Sequence, residues 1–302
     1  MSAPSKFDLE AAAPLGADTP TPDDLAIVPR DRRFVRDAQL GRWWFNGDPL
    51  ATAWHNSLSI AFPRGEAFFV EIIKQHRMDA PPKLEAEIRA FTMQEVNHTR
   101  EHVAFNKPAR EARYDLTRVD RRMDERLAAA KARPAIANLG ATAALEHLTA
   151  IMAHQQLKRP RWFAGLPREI AGMWLWHAAE EIEHKAVSYD TWLHATRDWP
   201  RWKRWKVKSA VMLVATRNFV QDRIADMADL LEQDGLRGAR WRWRIYAYLL
   251  WRPGMLRRIF PAWLAFFLPG FHPWKTDDRA LIRKYDSEFS DAVMPGGAPT
   301  AL

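Results

Sequence analysis

Past about residue 30 the apolar and polar positions follow a helical period, and proline stands at the starts of the apolar segments more often than inside them. Asp48-Pro49 reads as an N-cap and first residue of a helix running toward Phe62, with Pro63 opening the next one. That second segment carries Glu66, Phe68, Phe69, Ile72 and Ile73. Pro81-Pro82 precede a long helix expected to stop near Asn106, before Pro108. Residues 118–132 form a charged, exposed helix, Pro134 opens one to about Leu157, and Pro167 opens one to about Arg197. Valine and isoleucine never alternate between turn dipeptides, so no strands are expected, and no solenoid repeat is present. The fold class predicted is all-α.

Two of these helices repeat one chemical pattern. In QEVNHTREH, Glu95 and His98 are three apart and share a helical face; His102 returns to that face, while Glu101 is turned away. In HAAEEIEH, Glu181 and His184 repeat the spacing, and His177 stands four residues earlier on the same stripe. Glu183 points elsewhere, and Glu180, one helical step off, is a substitute for Glu181. Sixteen glutamates and ten histidines in 302 residues give about half an E-x-x-H by chance, so one match means little and two carry weight. Two more glutamates strengthen the pattern. Glu66 lies among phenylalanines, and Glu146 lies in the small, apolar stretch NLGATAALEHLTA, where an unpaired buried carboxylate would cost several kcal/mol, an objection that a metal ion removes.

The chain order is Glu, E-x-x-H, Glu, E-x-x-H, the order found in ferritin-like di-iron and di-manganese bundles. Four carboxylates neutralise two divalent ions, two of them can bridge, and each histidine terminates one metal. The expected ligands are Glu66, Glu95, His98, Glu146, His177, Glu181 and His184, with His177 either a direct ligand or a hydrogen-bonding neighbour. His102 is assigned to support or core, His147 points about 100° away from Glu146 on its helix, and His55 is left unassigned. Iron is the expected metal, with manganese or zinc as alternatives. With no cysteine in the chain, disulfides, thiolate metal sites and cysteine nucleophiles are excluded.

The segments FPRGEAFF, FTMQEVNHTREH, ATAALEHLTA, WHAAEEIEHKAVSYD and PGFHPW resemble the bacterial predicted metal-dependent hydrolases of the ferritin-like superfamily, over about residues 43–274. That resemblance implies a ferritin-like bundle with a binuclear site. The extra histidine one turn before the second E-x-x-H is more distantly similar to di-iron arylamine N-oxygenases, a likeness limited to the ligand pattern; it implies Glu66, Glu95, His98, Glu146, His177, Glu181 and His184 as ligands. Two reactions are expected from such a centre. The first is dioxygen activation for oxidation of a hydrophobic, lipid-like small molecule, with electrons from an external donor because no nucleotide-binding fingerprint is present. The alternative is hydrolysis by a metal-activated water. A ferroxidase without organic substrate is a third class, against which the long C-terminal addition argues.

Composition adds a second theme. The formal charge is +8, yet residues 201–260 alone hold 14 basic against 5 acidic side chains, and eight of the fifteen tryptophans lie between Trp199 and Trp274. Segments such as RWKRWKVKSAVMLV suit an anionic membrane surface, nucleic acid less well, or a helical layer packed on the bundle. The N-terminal segment lacks a secretory signal, and no apolar run is long enough to span a bilayer, so a cytoplasmic protein is expected, with peripheral attachment to the inner membrane face as a variant. A homodimer is compatible with all of this. The expected organisation is a flexible leader over 1–30, a metal-binding bundle over 31–200, and a basic, tryptophan-rich helical extension over 201–302 packed on it.

Overall fold

The computed structural model describes residues 21–22, 25–34, 40–112 and 114–289, and among them it contains helices and no strand. Four helices form the central bundle: α1 (Pro49–Gln75), α2 (Pro82–Ala112), α4 (Ala135–Lys158) and α5 (Arg168–Glu183). α1 pairs with α2 and α4 with α5, and the two pairs close on each other through α1–α4 and α2–α5 contacts. Between them α3 (Thr117–Lys131) runs along the outside. After α5 come α6 (Val187–Ala195), the long α7 (Arg201–Gln233), α8 (Ala239–Leu250), α9 (Met255–Ala265) and α10 (Arg279–Phe289). α7 lies across α1 and α4, α9 packs on α4, and α10 packs on α5.

The sequence signals locate most helix starts. The Asp48 carboxylate accepts hydrogen bonds from Leu50 N and Ala51 N, capping α1 as expected. Pro63, however, does not open a second helix; α1 continues through it. A proline at 63 removes the donor that would reach the Ser59 carbonyl. That carbonyl instead accepts Asn106 Nδ2 of α2 at 2.7 Å, so no buried acceptor is stranded and the helix persists. α2 likewise runs past Asn106 and through Pro108 to Ala112. The helix opened at Pro167 is shorter than expected. It ends at Glu183, and the chain turns through His184–Ala186 before α6. At that turn Lys185 is buried, donating to Thr276 O and Asp278 Oδ2, both at 2.7 Å, over the ring of Trp274. PGFHPW thus packs against the end of α5.

The charged α3 is more than an exposed helix. Arg118, Arg122 and Arg126, four residues apart, face Asp222, Asp226 and Asp229 of α7. Arg126 engages Asp222 with two parallel bonds of 2.8 and 2.9 Å. Asp226 is buried and shared by Arg122 and Arg223, each at 2.5 Å. Arg30, at the end of the expected leader, is also fixed: it bonds Glu183 at 2.7 Å, Asp286 at 3.2 Å, and through its backbone N Glu180 at 3.0 Å. Residues 1–20 lie outside the described residues.

Removing the shared buried carboxylate leaves the Arg223 guanidinium without its anion and Arg122 with Asp229 alone. Asp226→Ala is expected to destabilise the fold by about 3 kcal/mol, whereas Arg126→Ala, at an exposed pair, costs less than about 1 kcal/mol. Urea denaturation read by circular dichroism checks both; equal midpoints for the two variants would contradict the assignment.

Candidate metal centre

All seven side chains expected as ligands point into the space between the four central helices. Glu66 comes from α1, Glu95 and His98 from α2, Glu146 from α4, and His177 and Glu181 from α5. His184 follows at the residue where α5 ends. Every one of them is buried.

Glu181 occupies the middle. Its Oε1 is 3.1 Å from His177 Nε2, 3.8 Å from His98 Nδ1 and 3.6 Å from His184 Nε2. Glu95 faces two imidazoles with its two oxygens: Oε1 is 3.2 Å from His184 Nε2, and Oε2 is 3.9 Å from His98 Nδ1. Glu66 Oε1 lies 3.9 Å from His177 Nε2, and Glu146 Oε2 lies 3.5 Å from His184 Nε2. Two groups emerge that could each hold an ion, Glu66–His98–His177 and Glu95–Glu181–His184.

The decisive observation is what these atoms lack. Glu66 Oε1, both Glu95 oxygens, His98 Nδ1, Glu146 Oε2, Glu181 Oε2 and His184 Nε2 are all buried without a hydrogen-bond partner. Buried polar atoms are almost always partnered, and each orphan costs about 1–3 kcal/mol. Seven in one place, all lone-pair donors, fit divalent cations and fit nothing apolar. Metal-binding residues arranged in this way, with carboxylate and imidazole only, suit iron, manganese or zinc.

The other nitrogen of each imidazole is held by the protein, and the three holders differ. His98 Nε2 lies 3.1 Å from Glu180 Oε2; Glu180 in turn accepts Trp176 Nε1 and Arg30 N, both at 3.0 Å. His184 Nδ1 lies 2.9 Å from Gln94 Oε1, and Gln94 Nε2 donates to Glu183 at 2.8 Å. His177 Nδ1 lies 2.8 Å from His102 Nε2, His102 Nδ1 lies 2.7 Å from Ser59 Oγ, and Ser59 Oγ donates to Asn106 Oδ1 at 2.8 Å. Only one set of tautomers satisfies that last relay with an acceptor terminus. His177 carries its proton on Nδ1 and His102 on Nδ1, which frees His177 Nε2 for the centre. Thr99 Oγ1 donates to Glu66 Oε2 at 3.1 Å, leaving Oε1 free.

Electrostatics follow from burial and crowding. Burial, then the charge of Glu95, lifts Glu66 well above the usual carboxylate range; burial, then Glu95 and Glu181, does the same for Glu146. For Glu181 burial works in that direction too, but His184 and His177 outweigh it and hold it well below. Burial opposes the charge of His98, yet its bonds to Glu180 and Glu95 raise it well above the usual imidazole value. Burial, then His177 and His98, keep His102 well below it and neutral. Without a cation the cluster retains protons in its place.

Glu180 and His102 therefore sit behind the ligand stripe, Glu183 reaches Arg30, and Glu101 accepts from Phe34 N. His147 and His55 are elsewhere. His147 bonds Ala262 O against Phe266 and Phe271, and His55 bonds Ala51 O against Phe45 and Trp174; burial first pushes each down to about 4. Sequence reasoning missed Arg30, Ser59, Gln94 and Asn106. Asn106 is four residues after His102 and Ser59 seven before Glu66, so spacing alone could have marked those two; Arg30, in a segment without period, gives no local signal.

A cavity of about 520 Å³ reaches the cluster from between α1, α3, α4 and α7. Phe62, Phe69, Leu127, Leu145 and Phe219 line it, and Glu66, Glu146 and Glu181 lie at its inner end. Among the described wall residues, Arg223 Nε is a buried donor with no partner.

Fold and cluster together define an all-helical protein with a buried carboxylate–imidazole metal site. The chain belongs to a family described as predicted metal-dependent hydrolase, whose model matches residues 28–277. No curated protein and no solved structure gives a significant match. The family description agrees with the hydrolytic alternative better than with dioxygen chemistry, and it specifies neither the kind nor the number of metal ions.

Two outcomes follow. Carboxyls whose folded pKa is raised stabilise the fold while protonated, and that stabilisation is lost as pH rises through the folded value. The raised imidazoles His98 and His184 act in the same sense, while neutral His102 and His177 act oppositely, but only below about pH 6.5. Between that pH and about 8, where buried Lys208 begins to act oppositely, the melting temperature of chelator-treated protein is expected to fall, and the increase on adding metal to grow, with protons released during metal titration. Calorimetry in two buffers of different ionisation enthalpy counts those protons; zero release would refute the site. His102→Ala is expected to weaken metal binding about 10–100-fold by freeing His177, as read by competition with a chelating dye.

Proposed function

We propose that the protein is a ferritin-like, binuclear iron enzyme that oxidises a hydrophobic small molecule with dioxygen, drawing electrons from an external donor. The observation that carries the proposal is the set of seven orphaned lone-pair atoms in one cluster, three of whose carboxylates, Glu66, Glu146 and Glu181, line an apolar cavity. Glu66, His98 and His177 would hold one ion and Glu95, Glu181 and His184 the other, with Glu146 beside His184 at 3.5 Å as a further carboxylate donor. Two iron ions bound there supply two-electron reduction of dioxygen, and a donor set rich in carboxylates favours the higher oxidation states such chemistry visits.

The chain's own residues do the rest. The three imidazole relays fix which ring nitrogen faces the centre, so the rings are oriented before metal arrives. The phenylalanine and leucine walls exclude water from a reactive centre and match an apolar substrate body. Arg223 Nε offers that substrate one donor for an acceptor group away from the reacting end.

A second reading, hydrolysis by a metal-held water, is favoured by the family's description. One comparison separates them. Metal-free protein loaded anaerobically with ferrous iron and then exposed to air is expected to consume dioxygen and develop an iron-dependent absorption band. Protein that isolates with zinc or manganese and cleaves hydrophobic esters without dioxygen supports hydrolysis and defeats the oxidative proposal.

Gly65 tests the cavity separately. It lines the wall beside Glu66, and a Cβ there would meet no atom within 4 Å. Gly65→Ala is expected to stabilise α1 by roughly 0.5–1 kcal/mol. Gly65→Leu should retain full metal content but displace a hydrophobic fluorescent probe from the cavity; unchanged probe affinity would place the probe elsewhere.

A further inference from the structure

The tryptophans of the C-terminal third are not all packed inward. Trp202, Trp243 and Trp251 are 67, 72 and 72 % exposed. On α8, Trp243, Tyr246 and Leu250 stand at i, i+3 and i+7, forming one exposed stripe opposite buried Ile245, Tyr248 and Leu249. Phe260 and Leu264 of α9, with Leu268 just past its end, form another exposed set. The two stripes belong to adjoining elements: α8 packs on α9 and on α7, and the α9 segment is tied to α7 by Trp205 Nε1 donating to Phe267 O at 2.7 Å and Trp263 Nε1 to Thr216 Oγ1 at 2.8 Å. Large apolar side chains exposed together on adjoining elements mark an interaction surface.

The charges around it are of one sign. Residues 201–221 contain six basic and no acidic side chains, and residues 239–275 contain seven basic and no acidic ones. Arg240, Arg242, Arg244, Arg252 and Arg257 are exposed beside the apolar stripes. The carboxylates of the intervening stretch do not offset them, because Asp222, Asp226, Asp229 and Glu232 are engaged by the arginines of α3 and Asp234 by Arg42. α7 is thus basic at its first half, where Arg201, Lys203, Lys206 and Arg217 are exposed and Arg204 and Lys208 are buried, and acidic at its second, whose aspartates are paired within the fold.

We propose that the face built by the first half of α7, by α8 and by α9 seats the protein on an anionic lipid bilayer. Exposed indole and phenol rings belong at the headgroup level, with leucine and phenylalanine below them and guanidinium groups paired to lipid phosphate. No helix among the described residues is long and apolar enough to cross a membrane, so the contact lies in the plane of the interface. Val214, 47 % exposed on the same half of α7, also lines the cavity. The docking does not depend on which reaction the metal centre performs.

The test is flotation of the full chain with phosphatidylcholine vesicles, with and without phosphatidylglycerol. Binding is expected only to the anionic vesicles, weakening as salt is raised, with a blue shift of tryptophan emission and quenching by brominated lipid. Trp243→Ala/Trp251→Ala should abolish the quenching, and Arg242→Glu/Arg244→Glu should lower the partition constant at least about tenfold. All four side chains are exposed, and circular dichroism confirms that the variants fold. Protein that remains unbound to anionic vesicles at low salt overturns the proposal. So does a sedimenting dimer that the tryptophan variants split and that shows no lipid binding, which would assign the face to a second copy of the chain.

Discussion

Four carboxylates gathered inside a helical bundle are the constraint around which this molecule is arranged. Each would be costly to bury alone, and together they repel one another, so the fold tolerates them only with compensating cations or with protons. The choice of partners reflects this. Glu180 and Glu183, the next carboxylates along α5, are turned outward to Arg30 and Trp176, so they hold the imidazoles without adding to the central repulsion. α5 itself ends at the last imidazole, where Lys185 is drawn away toward Asp278. A cation so close to the centre is kept out of it by its own buried anion.

The central site was legible because its chemistry and its period coincide. Glutamate and histidine are conspicuous among apolar neighbours, and spacings of three, four and seven place them on one face before any tertiary information is used. Glu66 and Glu146 were legible for a different reason: each is a charge in a stretch with nothing to solvate it. The supporting residues were harder to find. Gln94 and Ser59 are ordinary types whose roles depend on a partner 90 or 43 positions away. The same distance hides the ladder between α3 and α7. An exposed charged helix and an arginine ladder facing aspartates have the same local pattern, and only pairing across 104 residues, as between Arg122 and Asp226, distinguishes them.

Charge segregation gives the outer layer its logic. The net positive charge of the chain is concentrated in the C-terminal third, and the aspartates that might balance it are consumed in fastening α7 to α3. The same helix therefore covers the cavity, anchors α3 and presents basic and aromatic residues outward. Packing at one end and exposure at the other follow from the order of its residues.

Pro63 stands inside α1 and not at a boundary, and that place gives it another meaning. By withholding one backbone N–H it leaves the Ser59 carbonyl as a socket, into which the amide of Asn106 plugs while its oxygen receives the Ser59 hydroxyl. The gap in α1 is thus the far support of the lever that aims His177. Any residue that restored the N–H at position 63 would mend the helix and contest that socket, so the most regular version of α1 would have the least firmly aimed imidazole.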